Sequence, residues 1–258
     1  MTALKFFKYQ GTGNDFVMID NRNEGFDSED NELIGRLCDR RFGIGADGLI
    51  LIQNHAEFDF EMIYINPDGT RSLCGNGSRC AVRFAHDLGI IGKETRFLTI
   101  EGPLHASIQD DRIHLSMPDV YNVSESKSND FFINTGSPHF VRFVEDVKEI
   151  DVYTSGKEIR ESDAFKPQGT NVNFVQQEGS TLFVRTYERG VENETLSCGT
   201  GVTASALAAG ILGDSNEIQI KTLGGNLSVR FEKAGNGIFK NIYLIGPADK
   251  VFEGSIIL

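Results

Sequence analysis

Leu73-Cys74-Gly75-Asn76-Gly77-Ser78-Arg79-Cys80 is the stretch whose reading decides the fold, because its core returns as Ser197-Cys198-Gly199-Thr200-Gly201. In each, a cysteine stands at the mouth of a short glycine-rich turn and an apolar, helix-like run follows. Working outward at a shift of 123 or 124, other short patterns recur in the same order. Thr12-Gly13-Asn14 matches Thr135-Gly136-Ser137, and Phe16-Val17 matches Phe140-Val141. Gly45-x-Asp47 matches Gly169-x-Asn171, and Thr99-x-x-Gly102-x-Leu104 matches Thr222-x-x-Gly225-x-Leu227. One match among so many glycines carries little weight, but ordered matches at a nearly constant shift mark an internal duplication.

The repeated unit reads as α+β. Residues 4–9 and 16–20 suit short strands around the Gly11-Thr12-Gly13-Asn14 turn. Ser28 is expected to cap a helix near 29–41 with Leu33, Ile34 and Leu37 on one face. Strands are expected at Leu49–Ile52 and from Phe58, then the Asn66-Pro67-Asp68-Gly69 turn, then a helix from the first cysteine loop to about Leu88. Strands near 95–101, 104–109 and 112–117 close the unit. The helix from Val202 to Leu212 contains no charged residue, and a helix apolar all round belongs inside a core. The expected architecture is two pseudo-symmetric domains, each a curved, barrel-like mixed sheet around a buried central helix, with the helix N-termini near the interface. The first repeat spans 1–118 and the second 119–248. The tail Val251–Leu258 has no counterpart after Pro118, and the segment 249–258 is expected to dock back on the first repeat.

Composition bounds the function. The chain has 258 residues and a formal net charge of −12, which argues against nucleic acid or an anionic membrane as partner. An anionic small-molecule substrate is not excluded, since a pocket's local field can oppose the global one. Lysines interrupt the apolar residues of Met1–Lys8, unlike a signal peptide's core. No run approaches the roughly 18 apolar residues of a membrane span. Four cysteines without a secretory signal suggest reduced thiols in a cytoplasm. The sequence does not fix an oligomeric state; a homodimer is compatible with it.

Cys38 and Cys80 read as packing residues, Cys38 beside the apolar face of the first helix and Cys80 one turn into a buried one. The Cys74–Cys80 spacing is unusual for zinc and no second cysteine or histidine pair accompanies it, so no metal site is expected. Cys74 and Cys198 differ, because free N–H groups and the helix dipole at a helix start stabilise a thiolate. The same N–H groups can hold a carboxylate. If the halves pack about a pseudo-twofold axis, the two thiols face one another across a shared cleft. A thiolate on one face of a carbon and a thiol on the other is what inversion of a stereocentre requires. Helix N-termini would stabilise the carbanion's charge. The duplication therefore suggests a two-base racemase or epimerase without a cofactor.

At these residues the chain resembles the diaminopimelate epimerase family over nearly its whole length. The likeness is carried by Gly11-Thr12-Gly13-Asn14-Asp15-Phe16, Gly43-Ile44-Gly45-Ala46-Asp47-Gly48, Asn66-Pro67-Asp68-Gly69 and the first cysteine loop. Gly136-Ser137-Pro138-His139, Gly169-Thr170-Asn171-Val172, Tyr187-Glu188-Arg189-Gly190 and the second loop extend it. The resemblance implies interconversion of LL- and meso-diaminopimelate, toward lysine and peptidoglycan precursors, without pyridoxal phosphate or metal. It implies Cys74 and Cys198 as the base/acid pair, and Gly75, Asn76, Gly199 and Thr200 as backbone ligands of the reacting carboxylate. It implies Asn66, Asn171 and Arg189 at the distal carboxylate, Glu188 and the Arg189 backbone at the distal ammonium, and Asn14 near the substrate. His139 and Glu188 would tune the thiols. Ser137 and Gly48 depart from larger residues seen in other members, and a water is expected to substitute for the lost contact. A proline or hydroxyproline racemase is an alternative, on which the Glu188-Arg189 contacts would be wasted. A non-catalytic binding or redox protein on the same scaffold is another. A Cys74–Cys198 disulfide on mild oxidation is expected of close thiols.

Overall fold

In the computed structural model, which describes residues 3–126, 130–235 and 237–258, the chain forms two units. One is Met1–Leu115 with Gly246–Leu258, the other Ser116–Ile245. In the first, β1 (Ala3–Gly11) and β2 (Asn14–Asp20) form a hairpin, followed by α1 (Asn31–Cys38), β3 (Gly48–Gln53) and β4 (Phe60–Ile65). Then come α2 (Gly75–Asp87), β5 (Glu94–Thr99), β6 (Gly102–Gln109) and β7 (Arg112–Ser116). Neighbouring strands pair in chain order, antiparallel except for parallel β2–β3 and β4–β5, where α1 and α2 make the crossovers.

This sheet is covered on both faces, which is why Leu49-Ile50-Leu51-Ile52 is apolar without alternation and wholly buried. Val17, Ile19, Leu49 and Leu51 pack with Ile34, Leu37 and Cys38 of α1. On the other face α2 lies against β1, β2, β3 and β4.

The second unit repeats the plan with one short additional strand. It contains β8 (Val123–Glu125), β9 (Asp130–Asn134), β10 (Pro138–Phe143), α3 (Val152–Arg160), β11 (Asn171–Glu178) and β12 (Thr181–Glu188). After the short β13 (Asn193–Thr195) come α4 (Gly199–Leu212), β14 (Glu217–Thr222), β15 (Gly225–Gly235) and β16 (Ile238–Gly246). Parallel pairs again fall at the two crossovers, β10–β11 and β12–β14. Even the register matches: Phe16 pairs with Gly48, and Phe140 with Val172. The chargeless α4 is buried on nearly every side and packs on β9, β10, β11, β12, β14 and β15.

The tail forms β17 (Asp249–Ile257), antiparallel to β1. Its counterpart is β8, which pairs antiparallel with β9. The tail thus has an equivalent, lying at the start of the second repeat rather than at its end.

The first helix differs from expectation. Its cap is Asp30, not Ser28, and it ends at Cys38. The Asp39 carboxylate accepts the Arg41 and Phe42 N–H groups at 2.7 Å each, and Ile44 and Gly45 return their N–H groups to the Leu37 carbonyl. These bonds turn the chain away before 41.

Candidate active site

Cys74 is the N-cap of α2, in extended backbone with its Sγ accepting the Gly77 N–H at 3.4 Å. Sulfur here does what a Ser or Asp oxygen does at other helix starts. The Cys74 thiol donates to Asn14 Oδ1 at 3.5 Å. Asn14 Nδ2 donates to Asp47 Oδ2 at 2.6 Å, and Asp47 also accepts Arg40 Nη2 at 2.7 Å and the Asp15 N–H at 3.2 Å. Asp15 in turn takes both Nη atoms of Arg40, at 3.0 and 2.6 Å, and buried Lys8 at 2.7 Å. Burial alone would raise the Asp15 carboxyl, but the Arg40 and Lys8 hydrogen bonds hold it well below the usual carboxylate range. The two glycine motifs of this unit are thereby tied together beneath Cys74.

Asn76 is buried and accepts Arg79 Nη2 at 3.1 Å, an atom that also reaches Thr12 Oγ1 at 3.1 Å. Arg79 is fully buried, its Nε donating to the Pro247 carbonyl, and its Nη1 has no hydrogen-bond partner among the described residues. Burial pushes this guanidinium down to about 10. Asn66 spends its amide locally: Oδ1 accepts Tyr64 Oη at 2.8 Å, and Nδ2 donates to Thr70 and Ser72. A Cβ at Gly48 would stand 2.4 Å from the Tyr64 ring. That ring fills the space beside Gly48.

Cys198 caps α4 with nearly the same backbone as Cys74, but no backbone N–H caps onto its sulfur. Its Sγ lies 3.5 Å from Thr200 Oγ1. Thr200 Oγ1 is 2.8 Å from His139 Nε2, and His139 Nδ1 is 3.1 Å from Asn173 Nδ2. Asn173 Nδ2 also donates to the Phe140 carbonyl at 2.9 Å, while its Oδ1 accepts Thr186 Oγ1 at 2.9 Å. His139, Asn173 and Thr186 are buried. Burial, and then the charge of Arg189, push His139 down to about 3, so its ring is neutral.

Beside this chain of bonds, Asn171 Oδ1 accepts the Arg189 N–H at 2.9 Å, and Asn171 Nδ2 donates to Ser137 Oγ and the Pro138 carbonyl. Ser137 therefore positions Asn171. The Arg189 guanidinium donates to the Gln168 carbonyl at 3.2 Å, and Glu188 accepts Thr195 Oγ1 at 2.8 Å. Among the described residues no group of three or more His, Cys, Asp or Glu side chains could hold a metal ion.

The structure thus joins Asn14 to Cys74, His139 through the Thr200 hydroxyl to Cys198, and Asn171 to Arg189. Sequence reasoning missed Asp47, Asn173, Arg79 and the side-chain role of Thr200. For Asn173 there was a signal: Asn171-Val172-Asn173 puts two amides on one face of an otherwise apolar strand.

A sequence profile of the family described as diaminopimelate epimerase matches residues 6–122 and 131–251. The chain belongs to the diaminopimelate epimerase family. A protein of that name from Flavobacterium psychrophilum is 52% identical over 258 residues, covering 98% of this chain and 100% of that one. Another from Aquifex aeolicus is 41% identical over 276 residues, covering 98% of each. A solved structure of a phenazine biosynthesis protein of the PhzF family, from Bacillus anthracis, aligns over 100% of both chains with TM-score 0.78. At 13% identity that likeness is one of fold. Membership of the family makes this chain an isomerase of the epimerase class. No helix among the described residues is long and apolar enough to cross a membrane.

Proposed function

We propose that this chain interconverts LL- and meso-diaminopimelate with Cys74 and Cys198 as its two bases and no cofactor. The observation that carries the reading is the repetition of one feature inside a family match. Each repeat places a cysteine as N-cap of its central helix, in the same extended backbone. In the proposed reaction one cysteine thiolate takes the α-proton, breaking C–H and forming S–H. The other thiol returns a proton to the opposite face, breaking S–H and forming C–H. The roles of the two thiols are then exchanged. The first-turn N–H groups at Gly75, Asn76, Gly199 and Thr200 would carry the carboxylate on which the carbanion's charge develops. Asn66, Asn171 and the bidentate-capable Arg189 would hold the distal carboxylate, with Glu188 on the distal ammonium and Asn14 beside the substrate.

The reading includes a cytoplasmic setting, supported by four free cysteines, two of which must stay reduced to work. It also includes a homodimer, supported by exposed Val251, Phe252 and Ile257 on β17, to be checked by light scattering. Incubation with LL-diaminopimelate in deuterated water tests the chemistry: one deuterium should enter at the inverted centre. Cys74→Ala and Cys198→Ala should each reduce epimerisation by at least about a thousandfold, the scale of losing an essential acid or base. Normal epimerisation in either variant rejects the two-thiol reading, and turnover of proline instead of diaminopimelate rejects the substrate.

A further inference from the structure

The bonds beneath the two cysteines have opposite polarity, and in each case one group of fixed character sets the direction. Around Cys198 that group is the Phe140 carbonyl, which can only accept. Asn173 must therefore turn its Nδ2 toward it, at 2.9 Å, and the same Nδ2 faces His139 Nδ1 at 3.1 Å. A donor facing Nδ1 makes Nδ1 the acceptor, so the proton of the neutral ring sits on Nε2. Nε2–H then donates to Thr200 Oγ1 at 2.8 Å. With its oxygen accepting, the Thr200 hydroxyl has its own hydrogen to give, and Cys198 Sγ lies 3.5 Å away. The chain Asn173 → His139 → Thr200 → Cys198 ends by donating to sulfur, which favours the thiolate. Burial of His139 with a ring held down to about 3 agrees with the neutral tautomer this requires.

Around Cys74 the fixed group is Asp47. Its Oδ2 accepts Asn14 Nδ2 at 2.6 Å while its Oδ1 is held by Arg40. The Asn14 amide cannot turn over without setting its carbonyl oxygen against a carboxylate. Asn14 Oδ1 therefore faces Cys74 Sγ at 3.5 Å, and an acceptor there needs the S–H. The Gly77 N–H on the same sulfur suits either protonation state, whereas the Asn14 contact suits only one.

We propose that Cys198 is the resting thiolate and Cys74 the resting thiol, and that Asn173 and Asp47 are the positioning residues that fix this assignment. The inference rests on the two-thiol reading and adds to it which cysteine starts as base. Cys198 takes the first proton, and Cys74 gives up its own to the opposite face.

The test is competitive alkylation of the whole protein at pH 7.5 by limiting iodoacetamide without substrate, with both cysteine peptides quantified by mass spectrometry. Cys198 is the less exposed thiol, at 7%, and Cys74 is only partly buried, so access alone predicts that Cys74 labels first. The proposal predicts that Cys198 labels first, by about tenfold. Thr200→Val should slow Cys198 about tenfold without changing Cys74, and Thr200→Ser should restore it. Asn173→Asp, which turns the histidine tautomer round, should act like Thr200→Val. Asp47→Asn frees the Asn14 amide to present Nδ2 and should speed Cys74 several-fold. Faster labelling of Cys74 in the wild type, or a Cys198 rate indifferent to Thr200→Val, overturns the proposal. If Asn173→Asp or Asp47→Asn fails to fold, the Thr200 pair decides alone. Because no substrate is present, the labelling order stands or falls separately from the deuterium experiment.

Discussion

The glycine three places after each cysteine offers a matched pair of substitutions. Gly77 and Gly201 occupy the same position of α2 and α4, and Ala at either should gain about 1 kcal/mol of helix propensity. What a methyl meets differs. At Gly77 the nearest atom is the flexible end of Ile50, at 3.1 Å, then Cys74 Cβ and Phe16 Cε1 at 3.4 Å. A small shift of Ile50 accommodates it, and the propensity gain roughly cancels the cost. At Gly201 the methyl would stand 2.4 Å from Asn173 Oδ1, and that amide cannot retreat freely because Thr186 and the Phe140 carbonyl hold it. Overpacking of this kind costs about 1–3 kcal/mol, and a buried polar group forced off its partner another 1–3. After the propensity gain, Gly201→Ala should be about 1–5 kcal/mol less stable than the parent. For a chain of this size about 2–4 °C accompanies each kcal/mol. Scanning calorimetry should therefore show a Tm drop of several degrees for Gly201→Ala and less than about 2 °C for Gly77→Ala. Gly201→Ala should also lose the preferential labelling of Cys198. Equal Tm changes in the twins would refute the account of Asn173 as a clamped residue.

Other outcomes follow from single contacts. His139 is protonated less readily folded, at about 3, than unfolded, near 6.5. Between those values the unfolded chain binds the extra proton, so this contribution is fully present above pH 6.5 and is lost as pH falls. Urea unfolding should show an acid slope of at most about 1.4 kcal/mol per pH unit that His139→Gln reduces; identical slopes in both proteins would contradict a neutral buried ring. On the tail, a Cβ at Gly254 would sit 2.9 Å from the buried Phe6 ring across the β1–β17 pair. Gly254→Val should cost about 1–3 kcal/mol in thermal melts, whereas Ser255→Val, at an exposed position, should be nearly neutral.

The duplication was legible because both repeats need the same backbone events at the same places: a capping cysteine, glycines behind it and an apolar helix after. Cys38 and Cys80 were legible as packing residues for similar reasons. Both are buried, and burial pushes the Cys38 thiol up to about 11 and Cys80 higher still. The equivalence of β17 and β8 was hidden because a constant-shift comparison cannot match a strand at the end of the chain with one at the start of the second repeat. The helix cap slipped from Ser28 to Asp30 because several acidic and hydroxyl residues there could each have done the same job. Arg79 was illegible for another reason. A charged residue in a helix ordinarily marks the solvated face, yet this one points inward and binds Asn76 and Thr12.

What the sequence concealed most is that the repeats share a backbone but not a support. Position 79 is arginine, and the corresponding position 203 is threonine bonded to its own helix at Gly199. Asp47 anchors an amide by charge, within a network of Lys8, Asp15 and Arg40, while its counterpart Asn171 bonds Ser137 and Arg189. A two-base exchange starts with one thiol ionised and the other protonated, and two identical cradles would give their thiols equal proton affinities. Such an enzyme would spend part of its time with both thiols charged or both neutral, states that cannot run the exchange. Divergence in the polar residues beneath two matching caps removes that degeneracy while leaving the caps themselves alike. On the proposed two-thiol reading the backbone repeat is kept for geometry, and Asn14, Asp47, His139, Asn173 and Thr200 would carry the difference in proton affinity.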